Sequence, residues 1–501
     1  MTHPDPVPHP DHWLTNGIRQ IGKTEYVLFA VAVLCMSLTI ITTWPLWQNR
    51  TSPPNLPILP ALTGVPFGAL ILLSLAVALW QPRKGFIGHL IVLGVAIAFD
   101  QIRCQPQIFS LPVLMAACLW REFRPVARWF LIAMWLWAGV HKLLSPDWMG
   151  PISWTLLDML GMENSLEWYR PFAWSVGIGE IVLGVIAIFK PRWAAFVCGG
   201  MHFGIVIMLV NMNWNFSVLY WNVANAIIGF WLLWSWRTES VSDENVARRW
   251  PRELWQQVVV VILLISPVGV YNGMVPHFLA HVLYSDNMPK PMMTTAAGPE
   301  EINVWESLYV PIPRLPAILR QYFESVADIG DKLHIYDPRP GMLHLHYGMA
   351  QFEAGESVLH RAEPISQAAF WDATTGVGQG FAQDYPPAVF YLEKAGIKML
   401  KRTQNGKIYA IQFSPDKYNA RLFQHVSGLL NLEQIQLADC ELRDEDLEHV
   451  TYLPVLYGIG LDNTPVTNAA LIHLDKVDKL RHLERNGTEI TDAAVREWLD
   501  R

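Results

Sequence analysis

The chain has 501 residues, 52% hydrophobic and only 16% charged, against the quarter that soluble domains usually carry. A formal net charge of -7 argues against a nucleic-acid partner. Five cysteines (Cys35, Cys104, Cys118, Cys198, Cys440) show no paired spacing, so neither a disulfide framework nor a zinc site follows from them.

Residues 1–25 form a polar leader with Pro and His and no small-residue cleavage site, which reads as a cytoplasmic leader ahead of an uncleaved anchor. From 26 to 273 apolar runs of roughly 17–22 residues predict a polytopic, mainly α transmembrane bundle of about nine helices. They centre on Ala32, Ile71, Gly94, Val113, Met134, Val182, Phe203, Ala226 and Val261. The third and fourth are short and can also be read as a broken pair of half-helices around Asp100–Pro106. The 23 tryptophans suit the two membrane–water interfaces.

Basic residues alternate from loop to loop. One set of loops carries Arg19, Lys23, Arg83, Lys84, Arg121, Arg124, Arg128, Lys190, Arg192, Arg237, Arg248, Arg249 and Arg252, and the other only Arg50, Arg103, Lys142 and Arg170. This asymmetry puts the amino terminus in the cytoplasm. Nine crossings then leave the long carboxyl-terminal tail outside, periplasmic or extracytoplasmic, and one failed crossing would bring it inside. Three Asn-x-Ser/Thr sequons, at Asn49, Asn215 and Asn486, fall on the outer side and matter only in a glycosylating host.

After Gly273 the pattern changes. Residues 274–302 read as an interfacial amphipathic helix, Pro276–Tyr284, or the end of the last membrane helix, followed by a Met-, Pro- and Thr-rich linker. Residues 303–404 mix helical and strand-like patterns in a soluble α/β region. Residues 405–501 hold an internal repeat: Leu432, Ile435, Leu437, Cys440, Leu442 and Leu447 recur 24 residues on as Leu456, Ile459, Leu461, Thr464, Val466 and Leu471. They recur again as Leu480, Leu483, Arg485, Thr488, Ile490 and Val495, with a weaker copy at Ile408, Ile411 and Phe413. That period is the pattern of leucine-rich repeats, in which stacking buries the apolar positions. Arg485 at a core position marks the last copy as a cap, and the short stack offers a small face to a protein partner.

Ionisable groups within apolar runs are functional candidates by default, and each also has a structural reading. Lys142 follows the tryptophan-rich helix Trp129–Val140: a partly desolvated amine can act as a base, and a lysine near a helix end can equally snorkel to the headgroups. His141 is its neighbour, so both can face one cavity only if the helix has ended, as Ser145-Pro146 suggests. Glu180, amid glycines and aliphatics, needs a partner, for which Lys142 or His202 is expected, whether as an ion pair or a proton relay. Asp100 and Arg103, at spacing three, are expected to pair on one helical face, in a ligand-holding polar knot or a self-held loop. His202 and His89 suit interhelix hydrogen bonds. Asn222 and Asn225 share one face of the next helix and can glue helices or line a polar cavity, in a cluster with Asn211, Asn213 and Asn215.

The stretch Trp137-Ala-Gly-Val-His-Lys-Leu-Leu-Ser-Pro-Asp-Trp148 resembles the segment of the vitamin K-dependent gamma-carboxylases and their bacterial relatives, the HTTM proteins, that reads Gly-Val-x-Lys-Leu followed by Asp-Trp. The run Asp100-Gln-x-Arg-x-Gln-Pro106 and the His202 helix leading to an Asn/Phe/Ser turn are also similar, and the resemblance extends over about residues 20–290. It implies that Lys142 is a catalytic base acting on a reduced quinone-like lipid in the bundle, with His141, Glu180 and His202 tuning or relaying, and Asp100, Arg103, Asn222 and Asn225 as candidates for holding the cofactor. His141 stands where the carboxylases have a second lysine, and the repeat tail differs from their luminal domain, so carboxylation itself is not implied. The alternative is a non-enzymatic membrane-anchored leucine-rich-repeat protein for protein–protein interaction, with Lys142 and Glu180 as a structural pair. A transporter or electron-carrier subunit has the least support, because no inverted repeat or haem signature is present. Convergence of the ionisable groups on one cavity would favour chemistry, and separate pairing would favour a scaffold.

Overall fold

The computed structural model describes residues 21–48, 50, 55–58, 65–145, 147–153, 156–157, 168–211, 215–239, 250–282, 285, 287–295, 298–302, 304–337, 339, 345–351, 357–360, 384, 386–401, 407–451, 453–477 and 479–499. Most of the leader, the sequon Asn49, Pro146, Asn213, Arg248, Arg249, Tyr284 and much of the expected mixed region lie outside them. The chain divides into two compact units: residues 1–144, 155–288 and 303–326, and residues 145–154, 289–302 and 327–501. The division interleaves along the sequence, unlike the consecutive blocks expected from composition.

In the first unit, helices α1 (Lys23–Thr42), α2 (Phe67–Trp80), α3 (Pro82–Phe99), α4 (Pro106–Leu119) and α5 (Arg124–Leu144) come first. Then follow α6 (Tyr169–Phe189), α7 (Pro191–Asn211), α8 (Phe216–Ala224), α9 (Phe230–Glu239) and α10 (Leu254–Ile265). Every predicted centre lies on this set, that of Ala226 falling in a π turn, Asn225–Gly229, which joins α8 to α9. Among the described residues six spans are long and apolar enough to cross a membrane, α2 and α4 are shorter, and α5 is long but carries Arg124, Arg128 and Lys142.

Proline sets several starts: Pro82 and Pro106 open α3 and α4, where a missing N–H costs nothing. Helices α2 and α3 meet through Gly85, whose added Cβ would lie 2.5 Å from the Ala78 backbone. The tightest approach for the present purpose is α5 against α6. A Cβ on Gly139 would sit 2.4 Å from the Gly177 carbonyl oxygen, and one on Gly184 would meet Leu136 at 2.7 Å. Small residues let backbones come this close where lipid gives no hydrophobic drive between helices.

Beyond α10 a 3-10 run, Ser266–Asn272, ends at Gly273 in the left-handed region (φ 76°). The expected amphipathic helix from Pro276 is not formed. Only a 3-10 turn, His277–Leu279, is present, and Ala280 and Val282 are buried against Val270. Apolar residues here follow a turn folded on its own neighbours, not a helical face. Helix α11 (Pro316–Val326) closes the first unit.

The second unit holds two five-stranded sheets. Strands β1 (Lys290–Thr295), β2 (Gly298–Glu301), β3 (Lys332–Tyr336), β4 (Leu345–Gln351) and β5 (Ser357–His360) form an antiparallel sheet in the order β2-β1-β3-β4-β5. The residues expected to be a linker therefore contribute β1, with Met292 fully buried. Strands β6 (Lys398–Lys401), β7 (Ile408–Gln412), β8 (Gln434–Gln436), β9 (Gly458–Gly460) and β10 (His482–Glu484) form the other, antiparallel for β6–β7 and parallel from β7 to β10. Ile411, Ile435, Ile459 and Leu483 stand in register, so each parallel strand repeats the last after 24 residues. Each copy also places one residue of the following turn at positive φ: Asp439 (61°), Asn463 (57°) and Gly487 (73°). The apolar positions at this spacing are buried in one core, from Leu432 to Ile490, and α13 packs Val495 and Trp498 against it (α12 is Pro386–Lys394, α13 Asp492–Leu499). Arg485 reaches Asp492 at 2.6 Å, at the start of α13.

Candidate functional site

The glycine-mediated approach of α5 and α6 puts Lys142 against Glu180. Nζ lies 2.9 and 2.7 Å from the two carboxylate oxygens, Lys142 is 4% exposed, and Glu180 stands near the middle of α6. The contacts of Gly139 with Gly177 and Ile181, and of Leu143 with Gly177, fix the level at which the antiparallel helices meet. The amine therefore meets α6 near the middle of that helix. The expected partnership of Glu180 with Lys142 is present.

His141 turns away. Helix α5 runs on to Leu144, so the two neighbours diverge by a helical step of about 100°. Nδ1 of His141 lies 2.8 Å from the Tyr271 hydroxyl and Nε2 2.7 Å from the Ala280 carbonyl oxygen, while Asn287 donates to the same hydroxyl at 3.1 Å. A carbonyl can only accept, so Nε2 carries a proton and donates it to Ala280. One turn earlier Trp137 donates to the Leu264 carbonyl at 3.0 Å. Together these two residues fasten α10 and the chain after it to the end of α5.

His202 is the centre of a third set. Trp135 Nε1 donates to its Nε2 at 3.2 Å, so Nδ1 carries the proton and donates to Asn222 Oδ1 at 2.8 Å. Asn222 passes the chain on to the Val218 carbonyl at 2.9 Å. Both ring nitrogens are occupied by partners on other helices. His89 is likewise buried, with Nδ1 2.9 Å from Ser74 Oγ.

Asp100 and Arg103 do not pair. Asp100 caps a 3-10 turn, accepts from the backbone N–H groups of Leu56 and Ile102, and forms its ion pair with Arg50. Arg103 donates to the carbonyls of Leu46, Ala96 and Gln48 and lies over the rings of Trp47 and Phe67. Spacing three pairs side chains on an α-helix, but the helix stops at Phe99, and the freed carbonyls of two helix ends claim the guanidinium. Asn225, at the π turn, is fully buried, and neither side-chain atom has a protein partner.

Sequence reasoning missed Arg50, Tyr271 and Trp135 as partners. Arg50 was one of few basic residues in its set of loops, which was a usable signal. Tyr271 and Trp135 look like ordinary interface aromatics and carried none.

Comparison of the chain with curated proteins and with solved structures gives no match. Residues 120–220, from the start of α5 into α8, and thus Lys142, Glu180 and His202, are similar to the family described as methylamine utilisation protein MauE.

Proposed function

We propose that the chain is an integral membrane protein whose helical unit is a scaffold, and whose second unit carries a leucine-rich-repeat stack that binds another protein. The observation behind the scaffold is that the ionisable groups close on one another in separate sets: Lys142 with Glu180, His141 with Tyr271 and Ala280, His202 with Trp135 and Asn222, and Asp100 with Arg50. The parallel strands in 24-residue register support the repeat stack. The basic-residue asymmetry supports a cytoplasmic amino terminus and an extracytoplasmic tail. Residues 145–154 group with residues 289–302 and 327–501, which supports one side of the membrane for the loop after α5 and for the tail.

The experiment is a mass-spectrometric search for lipids and quinones that co-purify with the wild type and with Lys142→Met. The scaffold reading expects the same unselective lipids in both. A quinone held by the wild type and lost from the variant overturns it. That result would favour the second reading, a bundle like that of the gamma-carboxylases with Lys142 as the base toward a reduced quinone. This reading is supported by the burial of Lys142 beside Glu180 within an apolar helix pair, where ionisable groups are functional candidates.

A further inference from the structure

The π turn offers a site apart from the Lys142–Glu180 pair. Trp221 and Asn225 are four residues apart where α8 runs into the π turn, so they stand one above the other on one face. Trp221 is 6% exposed and Asn225 0%. The Trp221 Nε1 and both Asn225 side-chain atoms, Oδ1 and Nδ2, are buried without a protein hydrogen-bond partner. The neighbouring polar groups are already engaged: Asn222 with His202, and the Asn225 carbonyl with the Cys198 thiol at 3.6 Å. Two donor groups and one acceptor, on residues one helical turn apart, are therefore buried with no hydrogen-bond partner from the protein. Single π turns recur at functional sites, because they break the i→i−4 ladder and re-aim side chains.

We propose that Trp221 and Asn225 form a binding site, inside the helical unit, for a neutral molecule bearing a hydroxyl group. A hydroxyl matches the inventory: its hydrogen goes to Asn225 Oδ1, and its oxygen accepts from Trp221 Nε1–H or Asn225 Nδ2–H. An ion would gain little here, since both side chains are neutral and desolvation of a charge is costly. The hydroxyl has two sources, water and a lipid alcohol.

The test is the sign of a thermal shift in the full-length protein in detergent. Asn225→Leu keeps the volume and removes the carboxamide. Trp221→Phe keeps a ring and removes the donor. If the site holds a hydroxyl, each variant strands it and the midpoint falls, by roughly 2–4 °C. If the groups have no partner, each variant removes a desolvated polar group and the midpoint rises or stays, which overturns the proposal. Where Asn225→Leu does not fold, Trp221→Phe alone decides. The source is read by adding dioleoylglycerol, with dioleoylphosphatidylcholine, which has no hydroxyl, as the control. Stabilisation of the wild type by the former only, absent in Asn225→Leu, identifies a lipid alcohol. A fall in the variants that neither lipid alters identifies water.

Discussion

Lys142 is the residue on which the helical unit turns. With Glu180 present its charge is matched at hydrogen-bond distance, and removing the Lys142 amine leaves the Glu180 carboxylate without that match. Lys142→Met is therefore expected to destabilise the protein by roughly 3–5 kcal/mol, and Lys142→Met combined with Glu180→Leu to recover most of the loss. Thermal unfolding in detergent of the two single variants and the double variant measures this. A double variant as unstable as the singles would show that the pair's worth lies elsewhere. His141 obeys a different logic, because both its nitrogens hold the chain after α10. The pairing of Lys142 with Glu180 was legible in the sequence, since a lysine and a carboxylate in neighbouring apolar runs have few other ways to be buried. The partner of Asp100 was not legible, because it depended on where α3 stops and on a residue fifty positions away.

Among the helices, α5 and α6 depend on their glycines more than on their apolar side chains. Gly139→Ala would drive a methyl to 2.4 Å from the Gly177 carbonyl, so the helices must part and the Lys142–Glu180 distance must grow. A loss of about 1–3 kcal/mol is expected. Gly200→Ala is the control, as nothing lies within 4 Å of its added Cβ. Comparing the midpoints of the two variants checks the claim, and equal midpoints would refute it. Apolar runs marked the helices well, since burial and lipid both demand them. They could not mark Lys290–Thr295 as a strand, because its partner Lys332–Tyr336 is distant in sequence, and they did not mark the 3-10 turn His277–Leu279.

At the scale of the whole molecule the repeat carries a histidine series of its own. His425, His449 and His473 follow the same 24-residue period. Burial pushes His425 down to about 3 and His449 down to about 4, His425 stacking on Tyr391 and His449 lying beside Asp446 and His473. The unfolded chain takes up these protons as pH falls below about 6.5, before the folded one does. Stability of the second unit is thus fully present above that value and is lost as pH falls toward about 4. Hydrogen exchange over residues 420–480 in the full chain should quicken between pH 7 and pH 5, after correction for the intrinsic pH dependence, and less so in His449→Gln. Equal protection in both proteins would remove the histidines from the account. The 24-residue period was plain in the sequence, because the apolar positions buried in one core recur at that spacing. What the sequence hid was the division into two units, which regroups segments far apart along the chain.

That division bears on the order of synthesis. Asp147 pairs with Lys290 at 2.8 Å, both of them buried, and Ser145–Trp154 belongs with the second unit. The ribosome makes this short segment long before the strand that receives Lys290. Four more apolar runs are made before the lysine that pairs with Asp147 appears. The second unit is therefore begun early and finished last.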